Sequence, residues 1–203
     1  DSRTCGSRYR STYGASNDEP FRIDQSMTDD IDVVAGVVDG LTLGSGADGP
    51  ESYARVLWEI GQADTAADLG FRADALKLVV NFGDNIPHDT NLNEGFDPPL
   101  TPPFVQPDFG IDPGRDNDID CFSVDADPNN GDIDFQSDAL QALIDQDIRL
   151  LYIDSSENTV FIQAWQFWAS QTGGAFAAIE RDGTVPGDLD LAELIADLLR
   201  LIE

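Results

Sequence analysis

The chain has 203 residues, with 39 Asp and Glu against 11 Lys and Arg, a formal charge of −28, and 41% hydrophobic residues. That apolar share argues against global disorder and allows one sizeable core without staples. The charge disfavours nucleic acid and anionic membrane surfaces as partners, since both call for clustered Lys and Arg.

No apolar run is long enough to cross a membrane. The acids admit two readings. They form a general surface suited to high salt, where screening shortens self-repulsion, or they concentrate in cation-binding loops. Their spread through nearly every segment favours the first. Cys5 and Cys121 are compatible with a disulfide, two buried thiols, or one of each. With a single histidine, His88, and no Cys/His cluster, the chain shows no zinc pattern.

In chain order, residues 1–20 read as a polar loop, with Arg3, Arg8 and Arg10 at its start. Phe21–Asp24 alternates like a short edge strand. Thr28 or Asp29 is a suitable cap for a helix with Ile31, Val34, Val37, Val38 and Leu41 on one stripe, ended by Gly40. A glycine-rich loop leads to a second helix from Pro50 to about Ala63, with Tyr53, Val56, Leu57 and Ile60 inward. Residues 64–75 read as a linker with a helical turn.

The run LKLVVNF at 76–82 reads as a central parallel strand covered on both faces, ending at Gly83-Asp84-Asn85. An acidic, Pro-rich insertion follows, about 85–134, of a length that marks functional or mobile loops. Then come a helix at about 136–145 (Leu140, Leu143 and Ile144 inward) and a strand at 148–153. An aromatic helix at 161–171, a short strand at 175–179 and an amphipathic helix at 189–202 complete the order. Strands alternating with helices predict a single α/β domain with a mostly parallel sheet.

Two acidic loops fall at the sheet's expected carboxyl edge, where open α/β sheets bind ligands. One holds Asp48 and Glu51, the other Asp84. Hard cations want oxygen ligands from separate loops, and these three residues would supply such a set. Equally, Asp48 and Glu51 would favour a helix N-terminus, and Asp84 would cap a turn.

The run GSGADGPESYARVLWEIG, followed by DLGFRADALKLVVNFGDNIPHD and later TGGAF, resembles a von Willebrand factor type A domain of the integrin-β-like branch. The resemblance covers most of the chain outside the insertion. It implies a Rossmann-like, doubly wound sheet with helices on both faces and a metal-ion-dependent adhesion site at the carboxyl edge. Glu51 and Asp84 match ligands of that site, which takes Mg²⁺ or Mn²⁺. Asp48 and the Pro50 carbonyl match ligands of an adjacent Ca²⁺ site, and Asp1 matches another. The family's first strand and its Asp-x-Ser-x-Ser loop have no counterpart, so an N-terminally truncated domain is expected. Asp154-Ser155-Ser156 follows a later strand and lacks that spacing.

The implied function is adhesion or protein-ligand binding outside the cell or on its surface, without catalysis. A divalent cation would accept a carboxylate from the partner. The alternatives are a metal-dependent hydrolase and a structural domain with a vestigial site. Three further features carry readings of their own. Residues 125–132 alternate oxygens like a calcium loop but miss the EF-hand positions for Gly and Glu. Cys5 and Cys121 sit in loops expected at one edge, which allows a disulfide. Trp165 and Trp168 would form a binding platform or, as aromatic stripes more commonly do, pack in the core.

Overall fold

The computed structural model describes residues 21–42, 50–89, 91–104, 112, 114–115, 132–182, 184, 186 and 190–200. Asp1, Cys5, Asp48, Cys121 and residues 125–131 lie outside the described residues, and with them the adjacent calcium site, the disulfide and the calcium-like loop.

The α/β class is borne out. Strands β1 (Lys77–Gly83), β2 (Ile148–Asp154) and β3 (Ala175–Ala178) form a parallel sheet in the order β1-β2-β3. β2 is the central strand because both its faces are apolar. Ile148, Leu150 and Tyr152 enter the main core, while Leu151 and Ile153 enter a smaller cluster with Ala177. Gly174 lets β3 approach, since a Cβ there would run into the Leu150 backbone.

β1 differs from expectation. Among the described strands it is an edge, with Val80 38% and Phe82 65% exposed. An apolar run shows that a strand prefers burial, but it does not supply the neighbour that buries it. Leu78, on the same face, does touch the smaller cluster.

Helix α1 (Ile31–Asp39) is capped by Asp30, whose Oδ1 accepts from the Asp32 and Val33 amides at 3.1 and 3.3 Å. The cap is one or two residues later than Thr28 or Asp29. Gly40 ends the helix as expected, but no α1 residue is buried and Ile31 is 75% exposed. The Phe21–Asp24 strand does not form; instead Arg22 pairs with Asp24 at 2.7 Å.

Helix α2 (Tyr53–Gly61) packs on the main-core face together with a π-helical turn (Phe135–Leu140), α4 (Gln141–Asp145) and α5 (Thr159–Gln171). Gly61 permits contact with Ala142, which any Cβ would strike. The buried face of α2 centres on Ala54, Leu57 and Trp58, with Tyr53 and Ile60 partly buried beside it. The stretch read as a linker holds α3 (Ala63–Leu69), closed by Gly70 at φ +85°. Ile144, expected inward, is exposed. Helix α6 (Leu191–Arg200) sets Leu194 and Ile195 against the smaller cluster on the sheet's other face.

Trp165 and Trp168 are fully buried, so they pack the core rather than forming a platform. Trp165 stacks on Tyr152 at 3.6 Å between centroids and meets Trp168 edge-on at 5.1 Å. The insertion contributes to this core. Leu92, Leu100, Phe104 and Ile133 are buried in it, and Phe96 and Phe104 lie against Trp168. Asn93 clamps the Phe104 backbone at both ends of its amide, at 2.7 and 2.9 Å.

A charge network ties the far part of the insertion to α2. Arg55 and Arg115 both pair with buried Glu59, and Arg115 also pairs with Asp64 and lies over Trp58, 5.3 Å from the ring centroid. Arg55 donates from its side chain to the Gly114 carbonyl and from its amide to Asp112. Burial pushes the Glu59 carboxyl upward, but the Arg115 hydrogen bonds and the two guanidinium charges outweigh it and hold the group below its usual range. Hydrogen bonding to Arg115 likewise lowers Asp64 to about 2.

A lowered folded-state pKa contributes stability above the unfolded value, and this is lost as pH falls through the folded one. Arg115→Ala should therefore cost about 2 kcal/mol at neutral pH, through Glu59. The difference from the wild type should shrink below about pH 4. Urea denaturation across pH checks this; a difference constant down to strongly acid pH would contradict it. The net charge gives a second expectation: the melting temperature rises by several degrees as KCl goes from about 0.1 to about 1 M. A flat or falling profile would show that self-repulsion does not limit this fold.

Candidate metal site

Parallel pairing fixes the geometry of the carboxyl edge. Gly83 at the end of β1 is in register with Asp154 at the end of β2, and the Ser155 amide extends the ladder to the Gly83 carbonyl at 3.0 Å. Asp84, the next residue, therefore emerges beside Asp154. The turn beyond is pinned from beneath. The Asn85 carbonyl accepts from Trp165 Nε1 at 2.8 Å and from the Tyr152 hydroxyl at 3.2 Å. The Asn85 side chain accepts from the Ile86 amide at 2.9 Å. Asp84 is left exposed above this buried anchor.

The other acidic loop is joined to this one through backbone. The Glu51 amide donates to the Ile86 carbonyl at 2.9 Å, and the Glu51 carbonyl accepts from the His88 amide at 3.2 Å. Glu51 is exposed and Pro50 is buried. Just beyond, Tyr53 turns its hydroxyl to that of Tyr152, and both hydroxyls press on Gly83, where a Cβ would strike them.

The groups sense one another electrostatically. Burial, with the charges of Glu51 and Asp84 added, raises the Tyr53 phenol to about 12 against the lowering effect of its hydrogen bond to Tyr152. Burial also raises Tyr152, helped by Tyr53, Asp154 and Asp84. Asp154 is raised by burial and by Asp84, against two hydrogen bonds from Ser156. Asp84 thus acts on two phenols and a second carboxyl.

Of the residues expected to bind metal, Glu51 and Asp84 are brought to neighbouring loops, with Pro50 beside them; Asp48 and Asp1 lie outside the described residues. Sequence reasoning set Asp154 aside as lacking the Asp-x-Ser-x-Ser spacing, and read Tyr53 and Tyr152 only as parts of buried runs. The signal for Asp154 was its place at the end of a strand parallel to the one before Asp84. Among the described residues no three His, Cys, Asp or Glu side chains close into a metal cage. The oxygen-only donor set still suits a hard cation, and Asp154 Oδ1 is buried without a hydrogen-bond partner. Asp89, by contrast, is structural: its carboxylate accepts from the Phe135 and Asn91 amides.

Neither protein-family models nor curated proteins give a match to this chain.

Gly83→Ala should destabilise the fold by about 1–3 kcal/mol, because the hydroxyls it would meet belong to packed tyrosines. The urea midpoint reads this directly. An unchanged midpoint would mean that the two phenols do not close on the strand end.

Proposed function

We propose that this chain is a ligand-binding module that engages a carboxylate-bearing protein partner through a divalent cation at the carboxyl edge of its sheet. The three parallel strands would then be one wing of a doubly wound, von Willebrand factor type A-like sheet. One observation carries the reading. Parallel register and backbone bonding bring the acidic turns after β1 and before α2 to the same edge. Asp84 and Glu51 would hold the cation, which would be Mg²⁺ or Mn²⁺, with Ca²⁺ held nearby by the loop containing Asp48 and Pro50.

Bound there, the cation would leave a coordination position for a carboxylate from the partner and offset repulsion between two acidic surfaces. The chain's own residues orient the site. Tyr152 and Trp165 hold the Asn85 carbonyl, which keeps Asp84 turned outward. Salt would assist association by screening the remaining repulsion. A surface or extracellular setting is the natural one for such a module. Among the described residues no helix is long and apolar enough to cross a membrane. In the hydrolase alternative the same acids would activate a cation-bound water, with His88 buried.

Calorimetric titration with Mn²⁺, Mg²⁺ and Ca²⁺ tests the reading, with water-proton relaxation of the Mn²⁺ form before and after adding acetate. Saturable binding, weakened about tenfold or more by Asp84→Asn, and acetate displacement of Mn²⁺-bound water are expected. No binding of any of the three ions, or binding indifferent to Asp84→Asn, would refute it.

A further inference from the structure

We propose that Asp154 is a ligand of the same divalent cation as Asp84, a role carried by its buried, unpartnered Oδ1 at the carboxyl edge. The inference rests on the cation-binding reading above and adds to it a carboxylate from a different strand.

Asp154 is 1% exposed. Its Oδ2 accepts from the Ser156 hydroxyl at 2.8 Å and from the Ser156 amide at 3.2 Å. That is all a turn cap requires. Its Oδ1 is shielded from solvent and accepts no hydrogen bond. Leaving such an oxygen without a donor costs about 1–3 kcal/mol, and more when the group is charged. Among the described residues the charge that acts on Asp154 is the negative one of Asp84, which adds to the cost of burial. Two carboxylates at neighbouring strand ends, close enough for one to act on the other, with one of them desolvated, are a poor arrangement for stability alone. They are a good one for a divalent cation, which takes oxygen donors, balances two negative charges and fills its remaining positions with water.

The arrangement also gives each residue a distinct part. Asp84 is exposed and meets the ion first. Asp154 lies behind it, held by Ser156, and supplies a ligand already desolvated. Because Oδ1 is shielded, entry requires the turn after β1 to open slightly. Repulsion between Asp84 and Asp154 favours that opening, and the cation would draw the pair together.

Titration of the full chain with Tb³⁺, excited through its aromatic residues and competed with Ca²⁺, tests the assignment. Tyr53, Tyr152 and Trp165 lie around the site and would sensitise the ion. The wild type should show saturable emission that Ca²⁺ displaces, and Asp154→Asn should weaken it about tenfold or more. In chelator, Asp154→Asn should melt at or above the wild-type temperature, because it removes a buried unpaired charge. Added Ca²⁺ should stabilise the wild type more than the variant at the same concentration. A purely structural Asp154 would instead lower the melting temperature with or without Ca²⁺. Unchanged Tb³⁺ affinity in Asp154→Asn, with affinity lost in Asp84→Asn, would overturn the role of Asp154 and leave the cation-binding reading standing. Absence of Tb³⁺, Ca²⁺, Mn²⁺ and Mg²⁺ binding by the wild type would bring down both. Should Asp154→Asn fail to fold, carbon-detected NMR of the wild type decides. The Asp154 carboxyl resonance, correlated through its own Cβ, should move with stoichiometric Ca²⁺; a resonance that stays fixed would overturn the proposal.

Discussion

The carbonyl oxygen of Asn85 is the point from which the candidate site hangs. It accepts hydrogen bonds from a buried indole on α5 and a buried phenol on β2, so helix, strand and turn share one atom. The same Trp165 and Tyr152 stack on each other at the centre of the core. Packing free energy in the interior is thereby used to fix a polar turn at the surface. Because the donors lie beneath the turn, the preceding residue, Asp84, has to emerge on the solvent side.

The chain handles its negative charge in two opposite ways. At Glu59 the burial of a carboxylate is fully offset: two guanidinium groups, a threonine hydroxyl and an aromatic face surround the group or its partners. The result is a fastener between α2 and the insertion. At the carboxyl edge the carboxylates act on one another and on buried phenols. Glu51, Asp84 and Asp154 raise the proton affinity of the phenols around them, and Asp84 raises that of Asp154 itself. The chain carries eleven basic residues against thirty-nine acidic ones, and two of the eleven, Arg55 and Arg115, are committed to the first region. With Arg55 and Arg115 committed to the first, the proposed cation would balance the second.

Much of the fold was legible because helices and strands differ in apolar period. β2 and α5 are near where the pattern puts them, and Gly40 ends α1 as expected. The errors share a cause: periodicity reports the preference of a segment, not its neighbours. β1 has the sequence of a central strand and the position of an edge, and the apolar stripe of α1 meets no partner among the described residues. The insertion was misjudged for the converse reason. Its scattered Leu92, Leu100 and Phe104 have no period, yet they fill the core from a loop. At the site, Glu51 and Asp84 were visible as acids in turns. Asp154 was noticed but set aside for its spacing, because its place at the edge lies in register across two strands separated by the whole insertion. The tyrosines were hidden by reading Tyr53 only as an apolar residue and Tyr152 only as part of a buried run.

The central claim is that the carboxylates at this edge share a cation. Anomalous diffraction from Mn²⁺-soaked crystals tests it most directly. The account predicts one anomalous peak bounded by the carboxylates of Asp84 and Asp154, with Glu51 directly or through water in its coordination shell. A fully loaded crystal with no peak at this edge, or with Mn²⁺ only at unrelated surface acids, would contradict it.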